Sequence, residues 1–238
     1  MALDPRTIYR DHAARYHDLV LAEDCDHALL PALEALRPLS GARVLEVGAG
    51  TGRITRLLLE AGARVEAFDK EAAMLEVARE HLGAFEADRL TLGCADARSL
   101  PVDDAWADAA IAGWVFGHFR YWMPEHWREE TTAALDELDR ALVPGGVGIV
   151  IETLGTTETE PSPPGPLAEY YRWLETERGC TRASLRTDYR FPDVETAAET
   201  LGFFFGADLA ARVRAAGSPR VPEVTGLWWW RKTRGKAS

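Results

Sequence analysis

The chain has 238 residues, 47% apolar and 27% charged, a composition that excludes a disordered chain, a collagen and a coiled-coil rod. A chain of this length buries roughly 70% of the surface its unfolded form exposes, enough for one sizeable core. Its 27 Lys plus Arg face 38 Asp plus Glu, a net charge of −11, which disfavours nucleic acid as a partner because phosphate contacts need a basic face.

Cys25, Cys94 and Cys180 lie far apart with no C-x-x-C pair, so neither a zinc site nor a disulfide framework is expected, and a reducing, cytoplasmic location fits. The N-terminus shows no apolar stretch of the signal-peptide kind, and no run approaches the roughly 18 apolar residues of a membrane span. The basic run over residues 231–236 reads as a solvated terminus.

In chain order, residues 6–37 read as helical, with Leu29, Leu33 and Leu36 on one face. From Ser40 onward short apolar runs alternate with helical periods, the pattern of a parallel sheet covered on both faces. Strands are expected at 43–47, 64–68, 90–94, 107–112 and 147–151. Helices carry Ile54, Leu57 and Leu58, then Met74, Val77 and Leu82, then Leu135, Leu138 and Leu142, the last stopping at Pro144-Gly145-Gly146. Residues 153–166, with four prolines, suit neither regular element and read as a lid or binding loop. A helix near 167–177, a strand near 184–189, a helix through Val194, Ala198 and Leu201, and a last strand near 224–230 complete the chain. Trp228, Trp229 and Trp230 cannot share one face of a strand, so both faces are expected to be covered there.

The stretch Glu46-Val47-Gly48-Ala49-Gly50-Thr51-Gly52 is a strand running into a glycine turn and a helix. Glycines permit close approach of backbone to a ligand, and the helix N-terminus presents N–H groups to it. A dinucleotide fingerprint, G-x-G-x-x-G, would need glycine where Arg53 stands, and Glu46 would meet a pyrophosphate as a like charge. S-adenosylmethionine (SAM), with a sulfonium and an ammonium and no phosphate, suits that acid. Asp69 ends the second strand where a carboxylate accepts ribose hydroxyls, which by itself fits NAD equally well. Asp96, after the third strand, is placed for an adenine amino group. The blander readings are helix capping for both aspartates and an ion pair with Arg53 for Glu46.

With these landmarks the sequence resembles the class I SAM-dependent methyltransferases, small-molecule branch. Residues 40–152 carry the resemblance, through Glu46–Gly52, Asp69, Asp96 and the Leu142–Gly146 turn. The resemblance implies a three-layer, doubly wound, Rossmann-like α/β fold with a seven-stranded sheet whose last strand is antiparallel. It implies cofactor contacts from Glu46, Gly48, Ala49, Gly50, Thr51 and Gly52 of the turn. Further contacts are implied for Asp69 and Lys70, Asp96 and Ala97, and Gly113 and Trp114 after the fourth strand. Tyr16, in Ala14-Arg15-Tyr16-His17-Asp18, is implied as one more.

Residues 1–39 are expected to form a helical cap and residues 40–238 the catalytic domain, with a substrate-side insertion at 153–190. His118, in the aromatic segment 114–122, has a pKa suited to a general base should the acceptor hold a proton, though a packing role is the plainer reading. Trp114, Phe116 and Phe119 read as walls. Tyr170, Tyr171, Trp173, Tyr189 and Phe191 are candidates for a substrate roof or for core. Phe203, Phe204 and Phe205 are expected in the core or at the interface of a homodimer. The expected activity is methyl transfer from SAM to a small organic acceptor, with no metal, no nucleic acid and no membrane partner. The alternatives are an NAD-dependent oxidoreductase and a catalytically silent SAM-binding protein.

Overall fold

The computed structural model describes residues 4–83, 85 and 88–233, so residues 1–3 and residues 234–236 of the basic run lie outside the described residues. Helix α1 (Pro5–Asp11) opens at Asp4, whose side chain accepts the Arg6 N–H, with proline in the first turn where no N–H is needed. Helix α2 (Ala13–Ala22) follows the non-helical His12. Asp24 then caps α3 (Leu29–Leu36), its two carboxylate oxygens accepting from the Ala28 and Leu29 N–H groups. The helical stretch expected over 6–37 is thus three helices, because His12 and the 23–27 turn leave helical geometry.

Strands β1 (Arg43–Val47), β2 (Arg64–Asp69), β3 (Leu90–Cys94) and β4 (Ala107–Gly113) alternate with α4 (Arg53–Glu60) and α5 (Ala72–Leu82). Helices α6 (Gly117–Trp122) and α7 (Trp127–Ala141) lead to β5 (Leu142–Thr156). Then come α8 (Leu167–Thr176), β6 (Thr181–Arg186), the short β7 (Tyr189–Arg190), α9 (Val194–Phe205), α10 (Ala207–Ala216), the short β8 (Arg220–Val221) and β9 (Glu223–Arg231). The main sheet has seven strands in the order β3-β2-β1-β4-β5-β9-β6. The first five pair in parallel, and β9 runs antiparallel to β5 and β6. The chain winds outward in both directions from β1 and β4, which opens a crevice at their carboxyl ends.

Side-chain alternation with period two divides the core. Val44, Ala109, Ile111, Ile149 and Leu227 pack with Leu33, Leu58 and Leu82 on one face. Leu45, Ala110, Ala112, Val150 and Trp228 pack with Leu135, Leu138 and Leu174 on the other. The tryptophans obey the same rule, since Trp228 and Trp230 join the second cluster and Trp229 the first. A third cluster joins α9 and α10 to Leu19 of α2, Tyr189 and Val221, and so ties the N-terminal helices to the C-terminal ones.

Several elements differ from expectation. Helix α7 ends at Ala141, ahead of the Pro-Gly-Gly turn, because Leu142 is already extended. Strand β5 continues to Thr156 through a bulge, since β9 supplies partners as far as Glu223, which confines the proline loop to 157–166. The strand near 184–189 is two, β6 and β7, separated at Thr187 and Asp188. Helix α10 has no counterpart in the expected elements.

Candidate active site

The glycine turn is held from three sides. Gly48 has φ +68°, and a Cβ there would lie 2.1 Å from Val115 Cγ2, so the turn and the segment after β4 come together only with glycine. At the tip of β2, Asp69 Oδ2 accepts the Gly50 N–H at 2.8 Å and Oδ1 accepts the Glu71 N–H at 2.8 Å. The Thr51 hydroxyl meets His17 Nδ1 at 2.9 Å, and His17 stacks on His81 with ring centroids 3.8 Å apart, which docks α2 onto the turn. Gly52 is the left-handed N-cap of α4, a Cβ there would meet Leu82 Cδ1 at 2.7 Å, and it lines neither cavity described next.

Two cavities open at the carboxyl ends of β1 and β4, both of a size for small ligands. The smaller, about 310 Å³, takes in Phe68, Asp69, Lys70, Asp96 and Ala97. The larger, about 590 Å³, takes in Glu46, Ala49, Thr51 and Arg53 beside the turn and reaches Glu152 and Glu223. Tyr16, Gly48, Gly50, Gly113, Trp114 and His118 line both. Trp114 has φ +54°, a strained conformation for a bulky residue, held by its N–H donating to Ile151 O at 2.7 Å.

The charges are mostly buried. Glu46 accepts from the Thr55 hydroxyl at 2.7 Å, not from Arg53, and burial pushes its carboxyl up to about 8. Arg53 pairs with Glu23 at 2.5 Å and lies 4.5 Å over the Trp114 ring, while its Nη2 is buried with no hydrogen-bond partner. Burial pushes Glu152 to about 8, although Oε1 accepts the Gly117 N–H at 2.8 Å. Burial also raises Glu223, aided by the nearby Glu23 charge. Burial raises Asp69 as well, against its two backbone hydrogen bonds. Arg98 grips Asp96 through both carboxylate oxygens and holds its pKa low.

His118 Nε2 lies 3.0 Å from the Tyr9 hydroxyl, and its ring stacks on Trp122 with centroids 4.5 Å apart. Burial, with Lys70 nearby, pushes it down to about 4. A neutral imidazole of that basicity is a weak proton acceptor near pH 7.

The aromatic candidates divide. Tyr170, Tyr171 and Trp173 pack in the core around Trp127 and Trp228, and Phe116 is core as well. Tyr189, Phe204 and Phe205 line the larger cavity beside Pro164 of the proline loop. Phe203 lies outside it, under the Arg15 guanidinium. Tyr9, Glu23, Glu152 and Glu223 were not singled out from the sequence. Glu152 did carry a signal, an acid at the end of an apolar strand like Glu46, whereas Glu223 carried none.

A seven-stranded sheet of this order, with a glycine turn after its first strand and an acid at the tip of the second, defines the class I methyltransferase fold. Residues 45–150 match the family described as "Methyltransferase domain". A demethylmenaquinone methyltransferase of Clavibacter sepedonicus is 36% identical over 118 residues, 50% of this chain and 44% of that protein. A malonyl-[acyl-carrier protein] O-methyltransferase of Pectobacterium atrosepticum is 37% identical over 120 residues, 50% of this chain and 40% of that protein. The chain thus spans less than half the length of these curated relatives. Among solved structures, the YcgJ protein from Bacillus subtilis superposes with a TM-score of 0.59 at 15% identity, covering 88% of this chain and 100% of that one, a likeness of fold. Residues 45–150 thus resemble a methyltransferase domain, and the chain has the class I methyltransferase fold. Among the described residues, no helix is long and apolar enough to cross a membrane.

Proposed function

We propose that the chain transfers a methyl group from SAM to a small organic acceptor, with residues 1–39 and 153–190 shaping the acceptor side of the 40–238 domain. The observation that carries this reading is the pair of cavities meeting at Gly48, Gly113, Trp114 and Tyr16, one lined by strand-tip acids and the other aromatic and larger. Bound across that seam, SAM would supply an electrophilic methyl on a sulfonium.

The residues present fit that group. Asp69 retains oxygen lone pairs for ribose hydroxyls after its two backbone hydrogen bonds. Asp96 and Ala97, with Lys70 across the smaller cavity, suit the adenine side. Glu46 and the unpartnered Arg53 Nη2 suit an ammonium and a carboxylate. The Gly48, Ala49, Gly50 and Thr51 backbone allows close approach. Catalysis then rests on alignment of the acceptor and exclusion of water by Trp114, Tyr16 and Tyr9. We assign His118 to holding Tyr9 in that wall, since its low basicity suits a base poorly. The cavity lining does not call for a second subunit, and a homodimer remains a proposal for sedimentation to test.

Thermal unfolding tests the reading. SAM or its demethylated product, S-adenosylhomocysteine, at a hundred times its Kd should stabilise the protein by about 2.7 kcal/mol while NADH does not. Stabilisation by NADH alone would overturn it.

A further inference from the structure

Five carboxyl groups line the larger cavity, and four are accounted for within the protein, Asp4 by its ion pair with Arg6. Glu23 pairs with Arg53, Glu46 accepts from Thr55, and Glu152 accepts from the Gly117 N–H. Glu223 differs. Only 1% of its surface is exposed, Oε1 accepts from the Thr153 hydroxyl at 2.5 Å, and Oε2 is buried with no hydrogen-bond partner. Glu223 lines only the larger cavity, in the part that the smaller one does not share. An unsatisfied buried carboxyl oxygen costs stability that a hydrophobic residue would not, so a ligand that satisfies it accounts for its presence.

We infer that the acceptor carries a basic nitrogen, cationic when it binds, and that Glu223, with Glu152 in the same cavity, is its counter-charge. This identifies a substrate class and rests on the methyltransferase reading above. A metal ion is the poorer occupant, since among the described residues no group of three or more His, Cys, Asp or Glu is arranged to hold one. An anionic acceptor would face the carboxyls, while Arg53, the one Lys or Arg of that lining among the described residues, pairs with Glu23 and turns its remaining Nη2 to the carboxylate assigned above. Tyr189 and Phe204 of the same lining offer aromatic surfaces to an organic cation. The titratable and charged groups facing Glu223 are Glu23, Arg53, Tyr171, Tyr189 and Asp188, the last accepting the Glu223 N–H, and those facing Glu152 are Tyr9, Tyr121, Tyr170 and Tyr171. Binding of a permanent cation should therefore strengthen as pH rises through about 8, where the buried carboxyls ionise.

Calorimetric titration of the full chain with benzyltrimethylammonium, with and without S-adenosylhomocysteine, tests this. The cation should bind at least tenfold more tightly than phenylacetate and 3-phenylpropanol, and more tightly at pH 9 than at pH 6. Glu223→Gln retains an oxygen for Thr153 and should weaken cation binding at least tenfold while leaving S-adenosylhomocysteine affinity unchanged. Cation binding lost in Glu223→Gln supports the inference whether or not the nucleoside binds first, so failure of nucleoside binding counts against the methyltransferase reading alone. Phenylacetate binding as tightly as the cation, or cation affinity unchanged in Glu223→Gln, overturns the inference. So does an equal loss of S-adenosylhomocysteine affinity, which would assign Glu223 to the methionine ammonium. The wild-type pH series and the anion control decide the matter even if the variant does not fold.

Discussion

Asp69 has a structural task of its own, because its two oxygens brace the Gly50 and Glu71 N–H groups and so shape the glycine turn. Asp69→Ala removes both these bonds and the remaining acceptors, and should weaken S-adenosylhomocysteine binding by about 1.5–3 kcal/mol in calorimetry. An unchanged affinity would show that the carboxylate only shapes the apo turn. Glu46 and Asp69 were legible because each stands at a fixed spacing from the glycine turn on its own strand. Gly52 belongs to the same motif, and a Cβ there would also collide with Leu82 of the next helix, a requirement that only packing between α4 and α5 reveals.

At the scale of elements, β9 binds the C-terminal half to the sheet by pairing with β5 on one side and β6 on the other. Trp228, fully buried against Tyr171 and anchored by its indole N–H to Glu175 at 3.0 Å, fills the middle of that layer. Trp228→Ala should cost about 3–5 kcal/mol in urea unfolding, whereas a change under 1 kcal/mol would mean that the layer closes around the gap. The alternation of the three tryptophans was readable because a strand has period two whatever its neighbours. Helix α10 was not, since its buried set is only Leu209, Ala210 and Val213, a face too slight to show a period until α9 lies against it.

Across the whole molecule, buried acids set the response to pH. Glu46 and Glu152 hold their protons to about pH 8 in the fold but release them near 4.5 when unfolded. The folded state then binds more protons between those values, so stability falls as pH rises from 4.5 to 8, at up to about 1.4 kcal/mol per pH unit per group. His118, held near 4, acts in the opposite sense, its contribution lost as pH falls below 6.5. Melting temperatures across this range should decline less steeply in Glu152→Gln than in the wild type, and an identical slope would remove Glu152 as a cause.

The chain's local order determined the strand–turn–helix units, their two-faced burial and the acids beside the glycine turn, because each depends on residues a few positions apart. The cavity's far side was decided by the tertiary structure alone. Glu152 and Glu223 meet the same space only because β9 turns antiparallel and extends β5 to Thr156, and Tyr9 reaches His118 only because α1 packs against α2 and α5. Such contacts join residues distant in sequence, and no spacing rule encodes them.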